Sequence, residues 1–319
     1  MNRQPVTGIV ATLAVIAVSL GFISLFTFST FTNWVSFYLI CTIPMQIIVG
    51  VNWNCKHPSF AVKQSQPMKG LLLTLITVMA GTMVSVVYMS VAGGNISPPA
   101  PMLAQCTIVS VVVTFWASIM WGGWPFHAWF KDPVTAGIAQ LIACYAINYA
   151  LFRVFFNYDF LKGAPVYVAS LDPHGLFNGW SALVFYVTAL AIMFLMLHFD
   201  LWPLTKSKTV MKQPLLGLVW TAVALILAAG LFEFGVQILK MDVVTFLVTV
   251  PIPFIFGTII VLNMLESSLF RGRTQPQKGI LSAAAAGMAG TGLAWMYQSL
   301  SVVVSGNLHS GPPGYDYEI

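Results

Sequence analysis

The chain has 319 residues, 58% of them hydrophobic and only 7% charged, with a mean hydropathy of +0.85. A soluble domain carries about a quarter charged residues, so this composition excludes a cytosolic enzyme, a disordered protein and a coiled coil, and leaves an integral membrane protein. The formal charge of +5, from 14 Lys and Arg against 9 Asp and Glu, is scattered in short groups between apolar runs and carries no nucleic-acid signature.

A helix needs about 20 apolar residues to cross the hydrocarbon layer. Runs of that length, bounded by Pro, Gly or charge, fall at roughly 7–28, 34–53, 70–93, 103–122, 134–156, 179–199, 214–239, 242–265 and 279–305. The expected fold is therefore all-α: one polytopic bundle of about nine spans, reading as a single transmembrane domain over 1–319. The first run follows Met-Asn-Arg-Gln-Pro and lacks a small-x-small cleavage site, so it reads as a retained helix rather than a signal peptide.

The second run contains Pro44, which frees a backbone carbonyl. The fourth ends in Trp-Gly-Gly-Trp-Pro-Phe-His, closing on His127. Asp132 directly before Pro133 looks like a helix start, a carboxylate cap followed by proline at the first helical position. The fifth run then places Gln140, Cys144 and Asn148 at successive fourth positions, hence on one face. Such a stripe either lines a polar path or fastens neighbouring helices, since amides act as glue in lipid. Arg153 lies near the end of the same run.

The loop at about 157–178 is the longest on its side of the membrane, and with Tyr158, Tyr167, Asp172, Pro173 and His174 it reads as a cap over that rim. The sixth run ends at His198, with Asp200 just beyond. The seventh holds Glu233 within its apolar stretch, where an ionisable side chain is a functional candidate by default. Paired with Arg153 it is either a gate or an interhelical tether. The eighth, opening after the cap candidate Asp242, carries Pro251 and Pro253 followed by Gly257-Thr258, the kind of broken helix from which transporters build a site at mid-depth. The ninth spaces Ala283, Gly287 and Thr291 by four, with Gly290 and Gly292 beside them, a surface for close helix packing within the chain or against another membrane subunit.

Basic loop residues are held on the cytoplasmic side during insertion. Alternation of nine spans puts Arg3, Lys56, Lys63, Lys69, Lys131, Lys206, Lys208, Lys212, Arg271, Arg273 and Lys278 on one face and only Arg153, Lys162 and Lys240 on the other. The amino terminus is then inside and the carboxyl terminus outside, in a bacterial inner membrane. Trp34, Trp53, Trp121, Trp124, Trp129, Trp180 and Trp202 fall at span ends, where indole prefers the wet edge of the bilayer, while Trp116, Trp220 and Trp295 are expected between helices.

The four cysteines, Cys41, Cys55, Cys106 and Cys144, form no C-x-x-C pair, and histidine boxes, H-E-x-x-H and a phosphate-binding glycine loop are absent. On this reading the first expectation is a transporter or permease for a small organic solute, with Glu233, Arg153, Gln140, Asn148, Pro251 and Pro253 along the pathway. The alternatives are a membrane subunit of a metal-dependent oxidoreductase, using His127, His198, Asp132 and Asp200, and a non-catalytic scaffold. Whether the chain is an enzyme, and which cofactor it takes, stay open.

Overall fold

The computed structural model describes residues 4–305; Arg3, His309 and the polar tail from Gly311 lie outside them. Among the described residues nine helices are long and apolar enough to cross a membrane. They are α1 (Val6–Ile23), α2 (Phe31–Asn52), α3 (Met68–Val91), α4 (Pro101–Met120), α5 (Pro133–Phe155), α6 (Gly179–His198), α7 (Leu215–Ile238), α8 (Val243–Met264) and α9 (Gln277–Leu300). The protein is a multi-pass membrane helix bundle with almost no strand. The first expected run is too long by about a turn, because the chain leaves α1 through turns at Leu25 and Phe26 before α2 begins.

The chain forms two compact units. One comprises Met1–Phe31, Val187–Met211 and Ala222–Ile319, and the other Thr32–Tyr186 and Lys212–Thr221. The helices α6 and α7 each contribute to both.

In the second unit α2 packs on α3 and α4, and α4 on α5. Lipid is as apolar as leucine, so close fit rather than removal from water holds such helices together. The fit is tight where glycines sit: a Cβ at Gly81 would lie 2.5 Å from the Thr42 methyl, and one at Gly137 would lie 2.4 Å from the Trp53 indole nitrogen. Trp53 is therefore a packed residue, nearly inaccessible and donating to the Pro133 carbonyl at 2.9 Å, although its position at a span end suggested the bilayer edge. The opposite holds for Trp295, which is 70% exposed where packing between helices was expected.

The first unit is built on α8 and α9. Val250, at φ −114° and ψ −76°, interrupts α8 between Val243–Thr249 and Pro251–Thr258. Neither Pro251 nor Pro253 offers an N–H, so the carbonyls of Leu247 and Thr249 lose their intrahelical donors. The segment after the break runs backbone to backbone against α9, where a Cβ at Gly257 would meet the Ala286 carbonyl at 1.8 Å and one at Gly290 the Pro253 carbonyl at 1.7 Å. The closely packed stripe of α9 is thus Ser282, Ala286 and Gly290, one residue before the expected Ala283, Gly287 and Thr291 row; Gly287 has open space beside it and Thr291 is exposed.

Five spans end on the same device. At the end of α2 the Trp53 N–H reaches back five residues to Ile48 and the Cys55 N–H six residues to Val49, both at 2.9 Å. The same pair of bonds closes α3 (Gly93 to Tyr88, Asn95 to Met89), α4 (Trp121 to Trp116, Gly123 to Ala117), α7 (Leu239 to Phe234, Met241 to Gly235) and α8 (Leu265 to Ile260, Ser267 to Val261). A widened last turn followed by residues of positive φ, such as Gly122 at 55° and Gly123 at 74°, brings carbonyls that a helix normally leaves unpaired back to donors of the same chain. At α6 Leu201 makes the first bond to Met196, and Pro203 has no N–H for the second.

Candidate functional site

The polar side chains of the second unit form a column. At one end the Tyr158 hydroxyl donates to Gln105 Oε1 at 2.8 Å. Next, Asn148 Nδ2 donates to the Tyr88 hydroxyl at 2.6 Å and to the Cys106 carbonyl at 3.0 Å. Further along α4, Thr107, Ser110 and Thr114 are fully buried and donate to carbonyls of their own helix, Thr114 lying against Cys144. At the other end Gln140 accepts from Asn52 Nδ2 at 2.6 Å and donates to the Ser118 hydroxyl at 2.9 Å.

From Gln105 to Ser118 the column follows α4 for about 20 Å, at about 1.5 Å per residue. It thus runs most of the way through a hydrocarbon layer about 30 Å thick. Every member is uncharged. Three buried atoms on or beside it, Asn148 Oδ1, Asn52 Oδ1 and the Tyr145 hydroxyl, have no partner. Each such orphan costs about 1–3 kcal/mol.

The face carrying Gln140, Cys144 and Asn148 was legible from spacing by four. Its partners Tyr88, Ser118 and Asn52 were not, because hydroxyls and amides on separate helices carry no shared period in the sequence.

Arg153 and Glu233 belong to different units. Within its own unit each is exposed and, among the described residues, without an ion pair. Glu233 opens the widened turn Glu233–Ile238 that ends α7, and Arg153 lies in the last turn of α5.

The four histidines and aspartates weighed for a metal are likewise divided. In the second unit His127 is exposed, and the Asp132 carboxylate caps α5 by accepting from the Thr135 amide at 2.8 Å and its hydroxyl at 2.7 Å. Those bonds hold Asp132 below the usual carboxylate range.

In the first unit His198 is buried with both ring nitrogens engaged, Nδ1 with the Ser282 hydroxyl at 2.7 Å and Nε2 with the Thr258 hydroxyl at 3.0 Å. It ties α6 to α8 and α9, and a metal at either nitrogen would have to displace a hydroxyl. Asp200 accepts from Lys278 Nζ and Gln275 Nε2, each at 2.8 Å. Partial burial pushes its carboxyl up, but the bonds to Lys278 and Gln275 outweigh that and hold it below the ordinary value. A cavity of about 200 Å³ opens beside this group, lined by His198, Asp200, Lys278 and Ser282 with apolar walls from Val261 and Phe270.

Among the described residues, the group of three metal-type side chains that does converge is Asp159, Asp172 and His174 in the loop between α5 and α6. Asp172 and His174 are legible in the sequence as loop residues and Asp159 is not among the expected ones, although an acid followed in the same loop by Asp-Pro-His is the available signal. Comparison with protein-family models finds no match to this chain, and comparison with curated proteins and with solved structures likewise finds none.

Proposed function

We propose that the protein is a permease for a small uncharged polar solute, such as a polyol or an amide, which passes along the interior of the second unit beside α4 and α5. One observation carries this reading. Polar atoms that lipid cannot satisfy line a column about 20 Å long, and three buried atoms on or beside it lack a partner among the described residues. Orphans at that cost persist where water or a solute supplies the missing hydrogen bonds. The absence of charge along the column favours a neutral cargo over an ion. Gln140 and Asn148 are the side chains that a passing solute would meet, Asn148 with its free acceptor.

The rival reading is fastening: Gln140 is bonded at both ends, and amide pairs between membrane helices contribute about 0.6–2 kcal/mol each. Stopped-flow swelling of proteoliposomes in inward gradients of glycerol, urea and erythritol separates the two. A permease accelerates swelling for at least one of these solutes over protein-free vesicles, and S110L, which fills the column at a fully buried position, abolishes the acceleration while the protein still elutes as a folded species. Swelling at the protein-free rate for all three solutes overturns the proposal and leaves fastening.

A further inference from the structure

The loop between α5 and α6 is folded with more care than a connection requires. Two short strands, β1 (Phe156–Asn157) and β2 (Phe177–Asn178), pair in parallel with Phe156 opposite Phe177 and Asn157 opposite Asn178. The Gly175 N–H donates to the Phe156 carbonyl at 2.6 Å, and Asn157 Nδ2 to the Gly175 carbonyl at 3.3 Å. This clasp brings Asp159, just after β1, against Asp172 and His174, just before β2.

Asp172 is fixed in place. Its carboxylate is buried and accepts from the Tyr158 amide at 3.2 and 3.3 Å, from the His174 amide at 2.9 Å and from the Tyr167 hydroxyl at 3.1 Å. Asp159 and His174 are about half exposed and face it. His174 Nδ1 lies 3.4 Å from Asp159 Oδ1 and 3.6 Å from Asp172 Oδ2, and one ligand atom from each of the three residues falls within 4.8 Å of the others.

Those separations bear on two chemistries, hydrogen bonding and metal ligation. At 3.4 Å His174 is within hydrogen-bond reach of Asp159, whereas 3.6 Å to Asp172 Oδ2 is too long for a hydrogen bond. Two ligands about 2.0–2.1 Å from a shared tetrahedral ion, however, lie about 3.3–3.4 Å apart. The imidazole nitrogen stands from each carboxylate oxygen at about the spacing of two ligands on one ion, and the two oxygens lie within 4.8 Å of each other.

We infer that Asp159, Asp172 and His174 bind a divalent first-row metal ion of the zinc class, two carboxylate oxygens and one imidazole nitrogen supplying three ligands and water the remainder. The donor set is mixed oxygen and nitrogen without thiolate, which suits Zn²⁺ or Mn²⁺ and excludes the soft ions. The amides and the Tyr167 hydroxyl on Asp172 orient it as supporting hydrogen bonds orient metal-bound carboxylates elsewhere. Lys162 is the competitor: its Nζ lies 2.7 Å from Asp159 Oδ1, in an ion pair whose two side chains are both about half exposed. An exposed pair of this kind contributes little and yields to a divalent ion.

The test uses the full chain in detergent micelles, stripped with a chelator and titrated with Zn²⁺ against a chromophoric competitor, and separately with Co²⁺ read by its visible absorption. One equivalent of Zn²⁺ per chain is expected, weakened by at least about 10-fold in D159N and in H174Q and tightened in K162M. Both ligand substitutions are at exposed side chains, so unchanged elution and helical circular dichroism are expected to accompany the loss. Failure to bind a stoichiometric equivalent, or equal affinity in wild type, D159N and H174Q, overturns the assignment. Because binding is read directly, the result stands whatever the swelling experiment shows.

Discussion

At the scale of single residues, the molecule separates charge from polarity. Among the described residues the Asp, Glu, Lys and Arg side chains lie in loops and toward span ends, Glu233 in the widened last turn of α7 reaching furthest in, and the interior of the second unit holds hydroxyls, amides and thiols. Asp200 illustrates the first class. Its bonds to Lys278 and Gln275 depress its pKa in the folded state, so the stability it contributes is complete above the unfolded aspartate value, about 3.9, and is lost as pH falls through the lower, folded value. Melting temperatures of wild type and D200N in micelles are therefore expected to differ at pH 7 and to converge only once the pH has fallen below the depressed folded value. A constant difference down to the lowest pH would show that the charge of Asp200 is irrelevant to stability.

At the scale of elements, hydropathy made the spans legible to within a few residues, and the caps at Asp132 and Asp242 were equally plain, because a side chain that serves its own helix leaves a local signature. What the sequence concealed is rotation about each helix axis. On α9 small and apolar residues stand on every side, so nothing in its composition says which side meets a neighbour. The row of α9 that packs within the chain is the one adjacent to Ala283, Gly287 and Thr291: alanines and glycines are so frequent there that two adjacent rows look alike, and the approach of Gly257 and Pro253 distinguishes Ser282, Ala286 and Gly290.

That distinction is measurable within one helix. Gly290→Ala drives a methyl into the Pro253 carbonyl and is expected to cost about 3 kcal/mol or more. Gly287→Ala, with open space beside it, is expected to be neutral or to stabilise by up to about 1 kcal/mol through helix propensity. Reversible unfolding of the two variants in micelles checks the contrast, and equal effects would refute the observed register of α8 against α9.

At the scale of the whole molecule, nine spans and the concentration of lysine and arginine on alternate loops predict an amino terminus on the cytoplasmic side and a carboxyl terminus opposite. Paired reporter fusions, one active only in the cytoplasm and one only beyond the membrane, are expected to give opposite signals at the two ends; matching signals would mean an even number of crossings. The recurring closure of the spans bears on how this bundle meets its surroundings. The last carbonyls of an uncapped helix are met by water or headgroups. Here α2, α3, α4, α7 and α8 carry their own donors in the final turn, so an end drawn below the interface by a thicker bilayer takes fewer unmet carbonyls with it. Those five ends therefore ask less of water or headgroups than an uncapped helix terminus does.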